Sequence, residues 1–252
     1  MTAPKMPPAV PGDPLPTPRR LLTVEEYLAF ERGNPIRHEY VEGEVFAMSP
    51  GVKRAHSRIT GNILRLLLNA ARGTECRVHA AEVQARVTPT IWYYPDVVVA
   101  CGPEPEDPHI EDAPCFLAEV LSPSTRTTDL REKSVNYRKI ASLQLLLIAD
   151  QDVRRVNRYW RDAAGAWQLE VIIGQGAIAV PCPTPADGPL VLTLDDIYEG
   201  VTLPPPPDPR RVREDTGEYL TGVVSEYGPE FVPDHIPVGL MRDAFTPEYA
   251  AR

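Results

Sequence analysis

The sequence predicts an α/β fold, a central mixed sheet flanked by helices, on three observations. Helical and strand patterns alternate through the middle of the 252-residue chain. One segment, Leu143–Ala149, is almost purely apolar, as a strand buried on both faces must be. Prolines crowd both ends and leave a body of ordinary composition between them: seven of the first 20 residues are proline, and a second run occupies 204–207. The expected organisation is therefore a proline-rich arm (1–20), one domain (21–204) and a proline-led acidic tail (205–252).

Within the domain, Thr23-Val-Glu-Glu26 has the form of a capping box and predicts a short helix to about residue 30. Residues 38–48 read as a strand pair turning near Glu42-Gly43. Ile59, Ile63, Leu66, Leu67 and Ala70 keep helical spacing, which predicts a helix over 54–72. Valine-rich stretches at 76–87, 94–100 and 115–121 follow as strands. The proline- and acid-rich segment 102–114 reads as a surface loop. A second helix is expected over 128–141, then the apolar strand, then shorter strands near 153–160, 167–173 and 189–194.

Charge narrows the function. The chain carries 26 basic and 35 acidic residues, a formal net charge of −9. That excludes a protein that coats DNA through a general basic excess, but not an enzyme with a local contact surface. The window 126–161 is such a place: nine basic residues against four acids, with Tyr159 and Trp160 among them. Cys76, Cys101, Cys115 and Cys182 form no C-x-x-C pair, so they read as free buried thiols of a reducing cytoplasm. No apolar leader opens the sequence, and no apolar run is long enough to span a bilayer, so a soluble cytoplasmic protein is expected.

Two carboxylates carry the chemical signal. Asp96, in Tyr94-Pro-Asp-Val-Val98, and Glu119, in Leu117-Ala-Glu-Val-Leu121, each lie in or against an apolar strand. An ionised carboxylate there is costly without a cation or hydrogen-bond donors. Taken singly, Asp96 also reads as a turn cap and Glu119 as an arginine partner. Taken together on neighbouring strands, they concentrate the oxygen ligands that a hard cation such as Mg2+ or Mn2+ takes.

The stretch 22–203 resembles the Uma family of the PD-(D/E)XK nuclease superfamily. The resemblance rests on Glu39-Tyr-Val-Glu-Gly-Glu44, Met48-Ser-Pro50, His56, Tyr94-Pro-Asp-Val-Val98, Glu119-Val-Leu-Ser-Pro-Ser-Thr125, Asp129-Leu-Arg-Glu-Lys133 and Tyr137. It implies a restriction-endonuclease-like fold and a metal-dependent endonuclease acting on nucleic acid, DNA in the first instance. Asp96, Glu119 and the main-chain carbonyl of Val120 or Leu121 would be the metal ligands. Homodimerisation is compatible with double-strand cutting, which needs two sites.

One position departs from the superfamily. The lysine expected two residues after the glutamate is Leu121 here. The resemblance implies Lys133 as its replacement, recruited from the following helix. Asp129, Lys133 and Tyr137 would share one face of that helix. The superfamily acid of the first core helix is also absent, since 54–72 holds no Asp or Glu. Glu39 is the candidate third carboxylate, Gln84 a supporting polar group and His56 a group orienting water or phosphate. Three rivals stand beside this reading: a non-cleaving binder of the same fold, a glycosidase using Asp96 and Glu119 without metal, and a scaffold recognised through its proline-rich arm.

Overall fold

The structure, a computed structural model, describes residues 21–48, 52–122, 128–185 and 188–203. The expected arm and tail, Ser49-Pro50 and 123–127 lie outside the described residues.

The first elements form as the sequence predicts. Helix α1 (Val24–Arg32) opens on Thr23, whose hydroxyl accepts from the Glu26 amide while the Glu26 carboxylate accepts from the Thr23 amide. Strands β1 (His38–Val41) and β2 (Glu44–Ala47) make a hairpin. Its two-residue turn puts Glu42 and Gly43 at φ 50° and 96°, the left-handed pair that matches strand twist. Helix α2 (Arg54–Ala71) buries Ile59, Ile63 and Leu67, one stripe of its surface.

The valine-rich middle divides more finely than expected. The stretch 76–87 is two strands, β3 (Cys76–Ala80) and β4 (Gln84–Thr88), broken by a turn in which the Val83 amide reaches the Ala80 carbonyl. Pro95, which cannot donate to a ladder, separates β5 (Ile91–Tyr93) from β6 (Val97–Cys101). The expected surface loop contains a buried two-residue strand, β7 (Ile110–Glu111), before β8 (Pro114–Leu121). The expected helix over 128–141 is a π-helical turn (Thr128–Lys133) followed by the short α3 (Ser134–Tyr137). It buries the polar Asp129, Lys133, Ser134 and Asn136 alongside Leu130 and Tyr137, so no continuous apolar stripe shapes it. Then come β9 (Leu145–Asp150), β10 (Arg155–Arg161), β11 (Trp167–Ile173), the unforeseen β12 (Ala177–Val180), β13 (Leu190–Thr193) and the single turn α4 (Leu194–Ile197).

Six strands form the main sheet in the order β11-β10-β9-β8-β6-β3, antiparallel except for β8 beside β9. The expected mixed sheet is present, and β9 is buried at every position. A five-stranded sheet, β2-β1-β5-β4-β7, and the hairpin β12-β13 complete the fold. One face of the main sheet packs Val97, Val99, Phe116, Ala118, Val120, Leu145 and Leu147 against Ile59, Ile63 and Leu67 of α2. Each such side chain contributes about 1.5–3 kcal/mol on burial. Tyr27, Tyr40, Trp92 and Ile110 form a second, smaller core, with the two tyrosine rings stacked at 4.7 Å. At the C-terminal border the Tyr198 hydroxyl lies within 3.2 Å of the carbonyl oxygens of Asp150, Val153 and Arg155.

The cysteines correct the reading of free thiols. Cys76 faces Cys101 directly across β3 and β6, and the two form a disulfide with Cα atoms 4.0 Å apart. Cys115 of β8 is joined to Cys182, 67 residues later. Spacing hides both pairs because strands distant in sequence become neighbours only in the sheet.

Candidate active site

The ends of β6 and β8 bring the two predicted carboxylates together. The β6–β8 ladder ends at Val97 opposite Ala118. One residue before β6, Asp96 continues the contact with its side chain, and Oδ2 accepts from the Val120 amide at 2.7 Å. This contact crosses to the neighbouring strand rather than capping a turn after Pro95, and it engages one of the two carboxylate oxygens. Glu119 alternates to the opposite face from Val120 and is buried at 4% exposure. Its partners are the Tyr137 hydroxyl, which donates to Oε1 at 2.6 Å, and Lys133 Nζ at 3.5 Å. No arginine pairs with it among the described residues.

Lys133 is the centre of a carboxylate cage. Its Nζ lies 2.7 Å from Glu39 Oε1, 3.3 Å from Asp129 Oδ1 and 3.5 Å from Glu119 Oε1, and 5.4 Å from the Tyr93 ring centroid. The predicted migrated lysine therefore stands beside the glutamate, while Leu121 is buried with 1% exposure. Tyr93 is fixed in turn by Asn136 Nδ2, which donates to its hydroxyl, and donates itself to Glu132. Glu39 also accepts from the Tyr94 amide at 3.4 Å, which ties the β1 hairpin to the strand carrying Asp96.

His56, in the first turn of α2, has Nε2 3.3 Å from Asp96 Oδ2. Gln84 is placed differently from expectation: it is buried, and its side-chain amide donates to the Tyr27 hydroxyl rather than to a site carboxylate. The alternation of β4 turns it toward the smaller core. Asp129 and Tyr137 join the site although sequence reasoning assigned them no role there. Their shared helix face with Lys133 was the available signal.

Burial and crowding set the protonation of this group. Burial pushes the Glu119 carboxyl well above the usual range; Lys133 opposes this, while Asp129, Asp96 and Glu39 push it further up. Burial raises Glu39 too, against the pull of Lys133. For Lys133 burial alone would lower the ammonium, but Glu119, Glu39 and Asp129 together raise it well above its ordinary value. It stays charged. Burial, then Glu119, raises the Tyr137 phenol, which remains a donor.

Three carboxyl groups (Glu39, Asp129, Glu119) thus surround the Lys133 ammonium, and a fourth, Asp96, faces the His56 imidazole. Apart from His56 the side-chain donor set is oxygen, the ligand type that a hard divalent cation takes. Asp96 and Glu119 are the side chains that would hold it, with the Val120 main chain beside them.

The basic window of the sequence is largely engaged within the protein. Arg154 pairs with Asp195, Arg155 with Asp150 and Arg158 with Glu170, while Arg161 donates to the Leu143 and Gly165 carbonyls. Tyr159 is buried.

Residues 24–189 match the family Uma2, described as "Putative restriction endonuclease". This chain belongs to the Uma2 family. Among similar sequences, the uncharacterized protein slr1290 of Synechocystis sp. is 31% identical over 150 residues, 59% of this chain and 78% of its own length. The uncharacterized protein sll1609 of the same organism is 30% identical over 166 residues, 63% of this chain and 91% of its own. The fold is shared with the crystal structure of "a putative nuclease belonging to DUF820 from Anabaena variabilis ATCC 29413", with TM-score 0.57 and 22% identity over 70% of this chain and 97% of that one. Membership in Uma2 makes the restriction-endonuclease-like resemblance a finding and supports a nuclease-like activity.

Proposed function

We propose that this chain is a Mg2+- or Mn2+-dependent endonuclease that hydrolyses phosphodiester bonds in DNA. The observation that carries the reading is Lys133 Nζ held 3.5 Å from Glu119 by a cage of three carboxylates. It restores the lysine–glutamate neighbourhood that Leu121 removes from the strand.

A divalent ion held by Asp96 and Glu119 would polarise the scissile phosphate and lower the pKa of the attacking water. The protein's own groups do the rest. Asp96 is oriented by the Val120 amide and His56, and Glu119 by Tyr137, so both carboxylates are fixed before a cation arrives. Lys133, permanently charged, stabilises negative charge that grows on the phosphate oxygens in the transition state. The glycosidase reading needs no such ammonium between its acids.

Phosphate-backbone contact is supported on the outer face of α2. Arg54 and Arg58 are exposed and make no ion pair among the described residues. With Arg65 they line a groove of about 1100 Å³ that runs between α2 and the segment 199–202. These two guanidinium groups, without an ion pair among the described residues, form a local anion-binding surface on an acidic protein.

The deciding assay is purified protein with plasmid and oligonucleotide DNA, with and without Mg2+ or Mn2+. Metal-stimulated cleavage that Glu119→Gln abolishes is the expected result. Tight DNA binding with no cleavage under any metal would establish the non-cleaving binder instead.

A further inference from the structure

All four cysteines of the chain, spread from position 76 to 182, meet at one place. Cys101 Sγ lies 3.6 Å from Cys115 Sγ, so the two disulfides touch. The sulfurs of Cys101, Cys115 and Cys182 all lie within 4.8 Å of one another, and among the described residues no His, Asp or Glu belongs to the group. Cys76, bonded to Cys101, stands just outside that group and must swing toward Cys115 and Cys182 to complete a fourfold set. Cys76, Cys101 and Cys115 are half-buried and Cys182 is buried, so the cluster is within reach of solvent at the sheet margin. It stands five residues along β6 from Asp96, about 16 Å at strand rise, and is separate from the catalytic acids.

We propose that these four sulfurs form a redox-gated site for a soft divalent cation of the zinc type. Oxidised, they are the two disulfides. Reduced, they are a four-thiolate site. Zinc–sulfur bonds of about 2.3 Å place tetrahedral sulfurs about 3.8 Å apart. The Cys101–Cys115 contact is already near that value. Each bonded pair opens to it by side-chain rotation once its bond is reduced. A set made of sulfur alone selects a soft ion and rejects the magnesium class that the acidic site takes.

The chemistry balances. Two molecules of a dithiol reductant supply four electrons, break the two S–S bonds and become two disulfides themselves. The four protein thiols lose their protons as they bind one Zn2+, so four protons are released.

The test uses the full chain, reduced anaerobically with excess dithiol, freed of it, then equilibrated with Zn2+ or Co2+. The expected result is one Zn2+ per chain after dialysis, four thiols protected from iodoacetamide, and a thiolate charge-transfer band with Co2+. Cys182→Ser and Cys76→Ser should each weaken binding at least tenfold. An Asp96→Asn, Glu119→Gln double variant should bind Zn2+ unchanged, which keeps the result independent of the nuclease reading. Four thiols that alkylate equally with and without Zn2+ would overturn the proposal. So would full Zn2+ retention in both serine variants. If Cys182→Ser does not fold, Cys76→Ser on the edge strand decides the matter.

Discussion

The strand pair β6–β8 ends in oxygen on one side and in sulfur on the other. At the first end Glu119 stands with Glu39 and Asp129 around Lys133, while Asp96 faces His56. At the second, Cys101 and Cys115 are closed into neutral cross-links. The same two strands supply both, so the backbone does not decide the chemistry. The side chains at the strand ends and their neighbours do. The acidic end is held by ion pairs and hydrogen bonds, and the sulfur end by covalent bonds.

The comparison breaks most sharply at the acids. Glu119→Gln or Asp96→Asn should lower metal-stimulated cleavage by on the order of 10³ or more with the circular dichroism spectrum unchanged. An active Glu119→Gln would remove Glu119 from the chemistry. Lys133→Ala is next, with cleavage falling by on the order of 10². Because it strips the Lys133 ammonium from three buried or half-buried carboxylates, it should also cost about 3–5 kcal/mol in a urea unfolding titration. Wild-type cleavage in that variant would refute the migrated lysine.

The sulfur end predicts an effect on stability rather than on rate. Chain entropy assigns about 3–4 kcal/mol to each disulfide for loops of 25 and 67 residues. Reduction should therefore lower the melting temperature while leaving cleavage at 25 °C nearly intact. An unchanged melting curve, with four thiols titrating in the untreated protein, would restore the free-thiol reading.

Proton linkage sharpens the contrast. Glu119 and Glu39 have folded pKa values raised above the unfolded carboxylate range. Their contribution to stability is full below the unfolded value and is lost as pH rises through the raised folded values. Lys133, raised above the usual lysine range, keeps its contribution through neutral pH. Mg2+ should accordingly raise the melting temperature more at pH 8 than at pH 5, read by differential scanning fluorimetry; equal shifts would argue against binding at these groups. The smallest effect expected is that of Arg54→Glu with Arg58→Glu. Duplex affinity should fall about tenfold, and the log–log salt slope should lose about 2.

Much of the acidic end is legible in the sequence, because a carboxylate in a valine-rich strand is anomalous on its face. Asp96 and Glu119 stand out for that reason, Lys133 came only through the family resemblance, and the capping box and the Glu42-Gly43 turn follow from local backbone rules. Gln84 was misplaced because strand alternation in a split 76–87 segment sends it to the other core. The π-helical turn left no trace in periodicity, since two of its three buried side chains, Asp129 and Lys133, are charged and only Leu130 is apolar. The sulfur cluster was illegible for a topological reason: Cys76 meets Cys101, and Cys115 meets Cys182, only after the sheet order is known. The basic window misled because a charge count cannot see that Arg154, Arg155, Arg158 and Arg161 already have partners.

The Tyr198 hydroxyl at the corner between β9 and β10 sets an order on biosynthesis. Three main-chain oxygens of that corner await a residue made more than 40 positions later. A nascent chain emerging from the ribosome can pair β9 with β10 early, but the bend between them stays hydrated until Tyr198 clears the exit tunnel. A stop codon placed just ahead of it would leave a hairpin with an unlatched corner, so the smallest expressible unit must run past that tyrosine.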